Sequence, residues 1–252
     1  MAKLYFYYSA MNAGKTTTLK VLMGLIRATS GKASILGHDV SEITFRRQIG
    51  FLPEQPYFYD YLTGREILHF YAKLSGVSRG CRERRVTQLL ELAGLSADGN
   101  TRLRSYSKGM LQRIGVAQAL VHDPQVVFLD EPMSGLDPVG RKEVRDIILR
   151  LRAEGKTVFM STHILSDVEM VCDRVAIISD GRLVAEGSPA ELVKASGIEI
   201  ETGSGTRRYE GAGVSRIGTV MIYLLVACIG AGADFRKIIE EPAFIAMGAI
   251  WM

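Results

Sequence analysis

The stretch 126–138, which reads VVFLDEPMSGLDP, constrains the fold of this chain more than any other. Val126, Val127, Phe128 and Leu129 form a short apolar run of the kind expected for a strand buried on both faces. Asp130 and Glu131 stand at its C-terminal end, where open α/β sheets place their ligand crevice. Two adjacent anions there are costly unless a cation or a reacting water meets them. The pair therefore points to a metal and to chemistry. The plainer alternative is that the carboxylates only open a loop, with Pro132, Ser134, Gly135 and Pro138 as its turn residues.

The N-terminal stretch favours the first reading. Leu4–Tyr8 is β-prone, and the helical pattern of Thr17–Ile26 carries Leu19, Leu22 and Ile26 on one face. Between them lie Ser9, Ala10, Met11, Asn12, Ala13, Gly14, Lys15 and Thr16. Strand, loop and helix in this order match the phosphate-loop pattern GxxxxGK[ST], whose backbone N–H groups close round phosphates while the lysine reaches the terminal ones. Gly14, Lys15 and Thr16 fit; Ser9 stands where the first glycine is expected. The helix N-terminus adds its dipole to the anion site.

Two further strands are expected at Lys32–Leu36 and Gln48–Leu52, the second entering Pro53, Glu54, Gln55 and Pro56. Tyr57, Phe58, Tyr59 and Tyr61 follow, and Thr63 with Glu66 has the spacing of a capping box that opens a helix bearing Ile67, Leu68, Phe70, Tyr71 and Leu74. The aromatics are expected to pack against that helix. The alternatives are a docking surface for a partner and, weakest, base stacking. Arg79–Arg85 reads as a solvated loop and helix start, and Val86–Leu92 as a helix that Gly94 ends. Ser107 is placed to cap a helix carrying Leu111, Ile114, Ala117, Leu120 and Val121, or to meet a phosphate together with Gly109. After Pro138 the pattern gives an amphipathic helix over Val139–Glu154, a buried strand over Thr157–Ser161, then His163. Val175–Ser179 and Arg182–Glu186 read as a hairpin, and Gly187–Lys194 as a short helix.

A chain of 252 residues with 47% hydrophobic content has room for one large domain or two modest ones. Its net charge of +4 permits an anionic partner without demanding nucleic acid. Cys81, Cys172 and Cys228 show neither metal-ligand spacing nor a disulfide framework, which points to a reducing compartment. MAKLYFYYSA lacks the cationic start, apolar core and cleavage site of a signal peptide.

From Lys15 to about Lys194 the chain resembles the ATP-binding subunit of an ABC transporter, closest to bacterial exporters whose nucleotide-binding and membrane domains are separate polypeptides. The resemblance implies an α/β fold: a P-loop NTPase with a mainly parallel sheet, an inserted α-helical subdomain at about 63–124, and a truncated N-terminal antiparallel β-subdomain. It implies ATP and Mg2+ as ligands, held by the loop from Ser9 to Thr17. Thr16 and Asp130 would hold the metal, and Glu131 would be the general base for in-line attack of water on the γ-phosphate. His163 matches the switch histidine that contacts that phosphate, and Ser134, Gly135, Leu136 and Asp137 match the D-loop. The signature, usually LSGGQ, corresponds to Tyr106, Ser107, Lys108, Gly109 and Met110, which keep the serine and last glycine and lose the glutamine. The Q-loop glutamine aligns at Glu54, with Gln55 one residue late. In this family the signature closes over ATP on the other subunit, so hydrolysis is expected in a head-to-tail homodimer, or with a related subunit. A transmembrane permease is the expected partner, the cytoplasmic face of the plasma membrane the expected location, and no nucleic acid is expected. ABC ATPases that act on nucleic acid usually carry a coiled-coil insertion or tandem cassettes, and neither is seen here.

The two ends depart from the pattern. Eight residues precede Ser9, and Met1–Lys15 looks like the start of a bacterial thymidine kinase, whose zinc-binding cysteines the remainder lacks. The expectation is a fusion without the adenine-stacking strand, with weakened ATP affinity. The segment 195–216 has the composition of a flexible linker, with Gly203, Gly205, Gly211 and Gly213. Ile217–Ala233 has no charged residue and, at 17 residues, reaches the short limit of a membrane span; Pro242–Met252 is a second apolar run. The expected domains are 1–194, the nucleotide-binding domain; 195–216, the linker; and 217–252, a membrane-like tail resembling part of a polytopic membrane protein.

Overall fold

The computed structural model describes residues 4–8, 15–179, 182–195, 199–202 and 205–208. The apolar run at 126–129 forms a strand, β5 (Val126–Asp130), in which every residue is buried. Its side chains alternate between two apolar clusters, as a pleated strand requires. Val127 and Leu129 enter the larger one; Val126 and Phe128 enter the smaller with Leu19 and Met23. Both faces are covered, which is why the run is continuous rather than alternating.

Around β5 stand β1 (Leu4–Tyr8), β4 (Ile49–Leu52), β6 (Thr157–Thr162), β7 (Arg174–Ser179) and β8 (Arg182–Gly187), in the order β4-β5-β6-β1-β7-β8. All adjacent pairs are parallel except β7 with β8. The expected mainly parallel α/β sheet is therefore present. On one face lies α1 (Lys15–Leu22), whose Leu19 joins Phe128. The larger cluster gathers the helices α2 (Gly64–Leu74), α3 (Arg79–Leu92), α4 (Lys108–Ala119) and α5 (Pro138–Ala153).

Helix ends follow the local chemistry. Thr63 and Glu66 form the capping box at the start of α2. Gly94, at φ +62°, ends α3: its N–H reaches the Glu91 carbonyl and that of Leu95 reaches Leu90, the paired bonds of a Schellman motif. The same motif at Gly24 (φ +65°) stops α1 at Leu22, short of the expected Ile26.

Two expectations need correction. The strand expected at Lys32–Leu36 is instead a hairpin of β2 (Ser34–Ile35) and β3 (His38–Asp39), because Leu36 and Gly37 both take positive φ, the signature of a tight type I′ turn. Among the aromatics, Phe58 packs on the core, but Tyr57 is 96% exposed and Tyr59 and Tyr61 are exposed as well. Tyr59 meets Phe70 edge-on on the outer side of α2. Within 195–216, β9 (Glu199–Thr202) and β10 (Gly205–Arg208) form an antiparallel pair. The β-branched Ile200, Thr202 and Thr206 outweigh the flanking glycines there.

Two compact units are distinguished, Met1–Leu192 and Val193–Met252. The first ends with α6 (Leu165–Val171), β7, β8 and the start of α7 (Pro189–Ala195). Among the described residues no helix is long and apolar enough to cross a membrane; Ile217–Ala233 and Pro242–Met252 lie outside them.

Candidate functional site

Because β4, β5, β6 and β1 run parallel, their C-terminal ends share one edge of the sheet. Register sets Asp130 opposite Ser161 there. Asp130 is 2% exposed, so its carboxylate needs partners, and among the described residues Ser161 Oγ donates to Oδ1 at 2.6 Å and Thr16 Oγ1 donates to Oδ2 at 3.0 Å. The second bond links the first turn of α1 to the end of β5, residues 114 apart in sequence.

Glu131, 7% exposed, takes φ +48°. That left-handed conformation costs a non-glycine residue about 1–2 kcal/mol. It is held by the Glu131 N–H, which donates both to the Ser161 carbonyl at 3.2 Å and to Ser161 Oγ at 3.0 Å. The turn swings the side chain to His163, whose Nδ1 lies 2.9 Å from Oε2. Strain of this kind, kept by surrounding bonds, is typical of functional sites. Sequence reasoning missed Ser161, which is fully buried; its place near the end of β6, two residues before His163, was the available signal.

Lys15 is the first residue of α1, and Thr17 next to Thr16 is exposed. Ser9, Ala10, Met11, Asn12, Ala13 and Gly14 lie outside the described residues. A small hard cation such as Mg2+ takes oxygen donors, commonly one or two from protein and the rest from phosphate and water. The hydroxyl of Thr16 against the carboxylate of Asp130 fits that requirement.

Glu54 and Gln55 follow β4, are both exposed, and leave the sheet at the same edge as Asp130. Ser107 caps α4, accepting from the Met110 N–H at 3.2 Å. Asp137 caps α5 likewise, accepting from the Gly140 N–H at 2.9 Å. These two helix starts face a depression of about 360 Å3 lined by Ser107, Lys108, Gly109, Gly135 and Asp137 among others, with the Lys108 ammonium against Gly135. Ser107 and Asp137 thus come together in one place, and Thr16, Asp130, Glu131 and His163 in another.

Residues 12–134 match the family model described as "ABC transporter", and residues 201–252 match a different one, "Protein of unknown function (DUF819)". An uncharacterised ABC transporter ATP-binding protein of Synechocystis is 51% identical over 183 residues, 72% of this chain and 52% of the relative. The fluoroquinolones export ATP-binding protein of Mycobacterium tuberculosis is 43% identical over 71% of this chain and 59% of its own length. The chain thus spans between half and two thirds of these relatives. A solved ATP-binding subunit of an ABC transporter is 31% identical, with 77% of this chain and 81% of that one covered at a TM-score of 0.68. With Thr16, Asp130, Glu131 and His163 on one sheet edge, these similarities show that the chain belongs to the ABC transporter ATP-binding family.

Proposed function

We propose that the chain binds ATP with Mg2+ and hydrolyses it, driving a transmembrane partner in export. The observation that carries this reading is the convergence of Thr16, Asp130, Glu131 and His163 at one sheet edge. Bound magnesium would neutralise the β- and γ-phosphate charge, with Thr16 and Asp130 as its protein ligands. Glu131 orients the attacking water and takes its proton; a positioned carboxylate in such a role contributes about 10²–10⁴ in rate. His163 fixes that carboxylate through Nδ1 and presents its remaining ring nitrogen to the γ-phosphate. Lys15 and the loop before it cradle the phosphates.

Two further features support the assembly. The depression shared by Ser107 and Asp137 is open, as a site completed by a second subunit in head-to-tail arrangement would be. Exposed Tyr57, Tyr59, Tyr61 and Phe70 give an aromatic surface following the Glu54–Gln55 segment, suited to docking a membrane partner. Export follows the printed function of the Mycobacterium relative. A second reading, a catalytically weakened fusion, draws on the separate family match of 201–252. The test is phosphate release from Mg-ATP by the purified chain. Turnover that needs Mg2+ and disappears in Asp130→Asn supports the proposal; none from a folded sample contradicts it and favours the weakened fusion.

A further inference from the structure

Asp167 lies on α6, four residues beyond His163, and is 2% exposed. Its Oδ2 has no hydrogen-bond partner among the described residues, and its Oδ1 stands 3.7 Å from Arg145 Nη1. Arg145 also donates to Met170 Sδ at 3.4 Å, so it grips α6 at two points. One turn earlier on α5, Arg141 donates through Nε to the Leu136 carbonyl of the D-loop at 3.1 Å. Burial raises the Asp167 pKa, while Arg141, Arg145 and His163 hold it back. A group whose folded pKa is raised costs stability once ionised, so keeping a carboxylate here is not explained by stability.

We infer that Asp167 is a positioning residue: a buried anion that ties α6, and with it His163, to Arg145 of α5, one turn from the Arg141 that holds the D-loop. The inference rests on the proposed ATPase reading and deepens it. His163 enters α6 through only Ile164, the N-cap residue, so a shift of α6 reaches its ring directly. Movement of the histidine would loosen Glu131, whose carboxylate it bonds. The D-loop and the switch histidine are then held from adjacent turns of α5, the first through Arg141 and the second through the Arg145–Asp167 pair.

The experiment is Asp167→Asn in the full chain, read by imidazole NMR, by melting and by ATP turnover. The expected result is a change in the His163 resonances with those of His38, His69 and His122 unmoved, and a Tm unchanged or raised. kcat should fall about tenfold with KM for ATP within about twofold, and Asp167→Glu should recover most of the loss. Unmoved His163 resonances in a folded Asp167→Asn protein would overturn the inference. A wild-type chain that turns over no ATP, yet whose His163 responds to Asp167→Asn, would overturn the ATPase reading and keep the positioning role of Asp167. Should Asp167→Asn fail to fold, Arg145→Gln carries the same expectations for the His163 resonances and for turnover, with a lowered Tm because the buried carboxylate loses its counter-charge.

Discussion

Ser161 serves both carboxylate residues at the end of β5 at once: its hydroxyl donates to Asp130 Oδ1 at 2.6 Å and accepts from the Glu131 N–H at 3.0 Å. One small side chain therefore fixes the proposed metal ligand and the left-handed turn of the proposed base. Ser161→Ala leaves buried Asp130 short of a partner, a loss of about 1–3 kcal/mol. Thermal melting should show the destabilisation. ATP turnover should fall about tenfold or more, since about 1.4 kcal/mol of lost positioning is already a factor of ten. Turnover unchanged in Ser161→Ala would show that Glu131 does not need this clamp.

Close backbone approach predicts a different sensitivity at Gly50. A methyl group there would collide with the Ala119 carbonyl oxygen and come within 3.0 Å of Pro124 Cγ. A backbone oxygen between a strand and a helix end cannot swing aside, so Gly50→Ala should cost about 1–3 kcal/mol. Gly80→Ala, with nothing within 4 Å, should be neutral or stabilise by up to about 1 kcal/mol. Urea denaturation of the two variants separates packing from backbone entropy.

Cys172 gives a pH prediction. Burial, and then the neighbouring charge of Asp173, push its thiol up to about 12 from 9.0. The folded state keeps its proton where the unfolded chain releases it. This contribution to stability is whole below pH 9 and declines as pH rises toward 12. In a Cys228→Ser background, a thiol reagent at pH 8.5 should modify exposed Cys81 quickly and Cys172 only after urea. Rapid labelling of both in native protein would contradict the buried environment.

The elements legible in sequence were those set by local pattern. The unbroken apolar run of β5, the Thr63–Glu66 capping box, the Ser107 cap and the stop at Gly94 each rest on residues adjacent in the chain. The carboxylate pair and His163 were legible as candidates because strand ends announce themselves. Features that depend on register were not. Ser161 matters only because parallel pairing sets it opposite Asp130, and Glu131 takes φ +48° only because that partner is there. The outward-facing tyrosines were misread for a related reason: composition marks aromatic surface, while the packing of α2 decides which ring it covers. Asp167 likewise gains meaning only when α5 and α6 meet.

The most direct test of the account is Mg-ATP hydrolysis by the purified chain across a range of protein concentrations, beside Glu131→Gln. The account predicts activity that rises more than linearly with protein, as a head-to-tail dimer requires, and that Glu131→Gln abolishes while the variant stays folded. Equal turnover by the two proteins would contradict the role given to Glu131, and activity strictly proportional to concentration down to the lowest range would contradict the dimer.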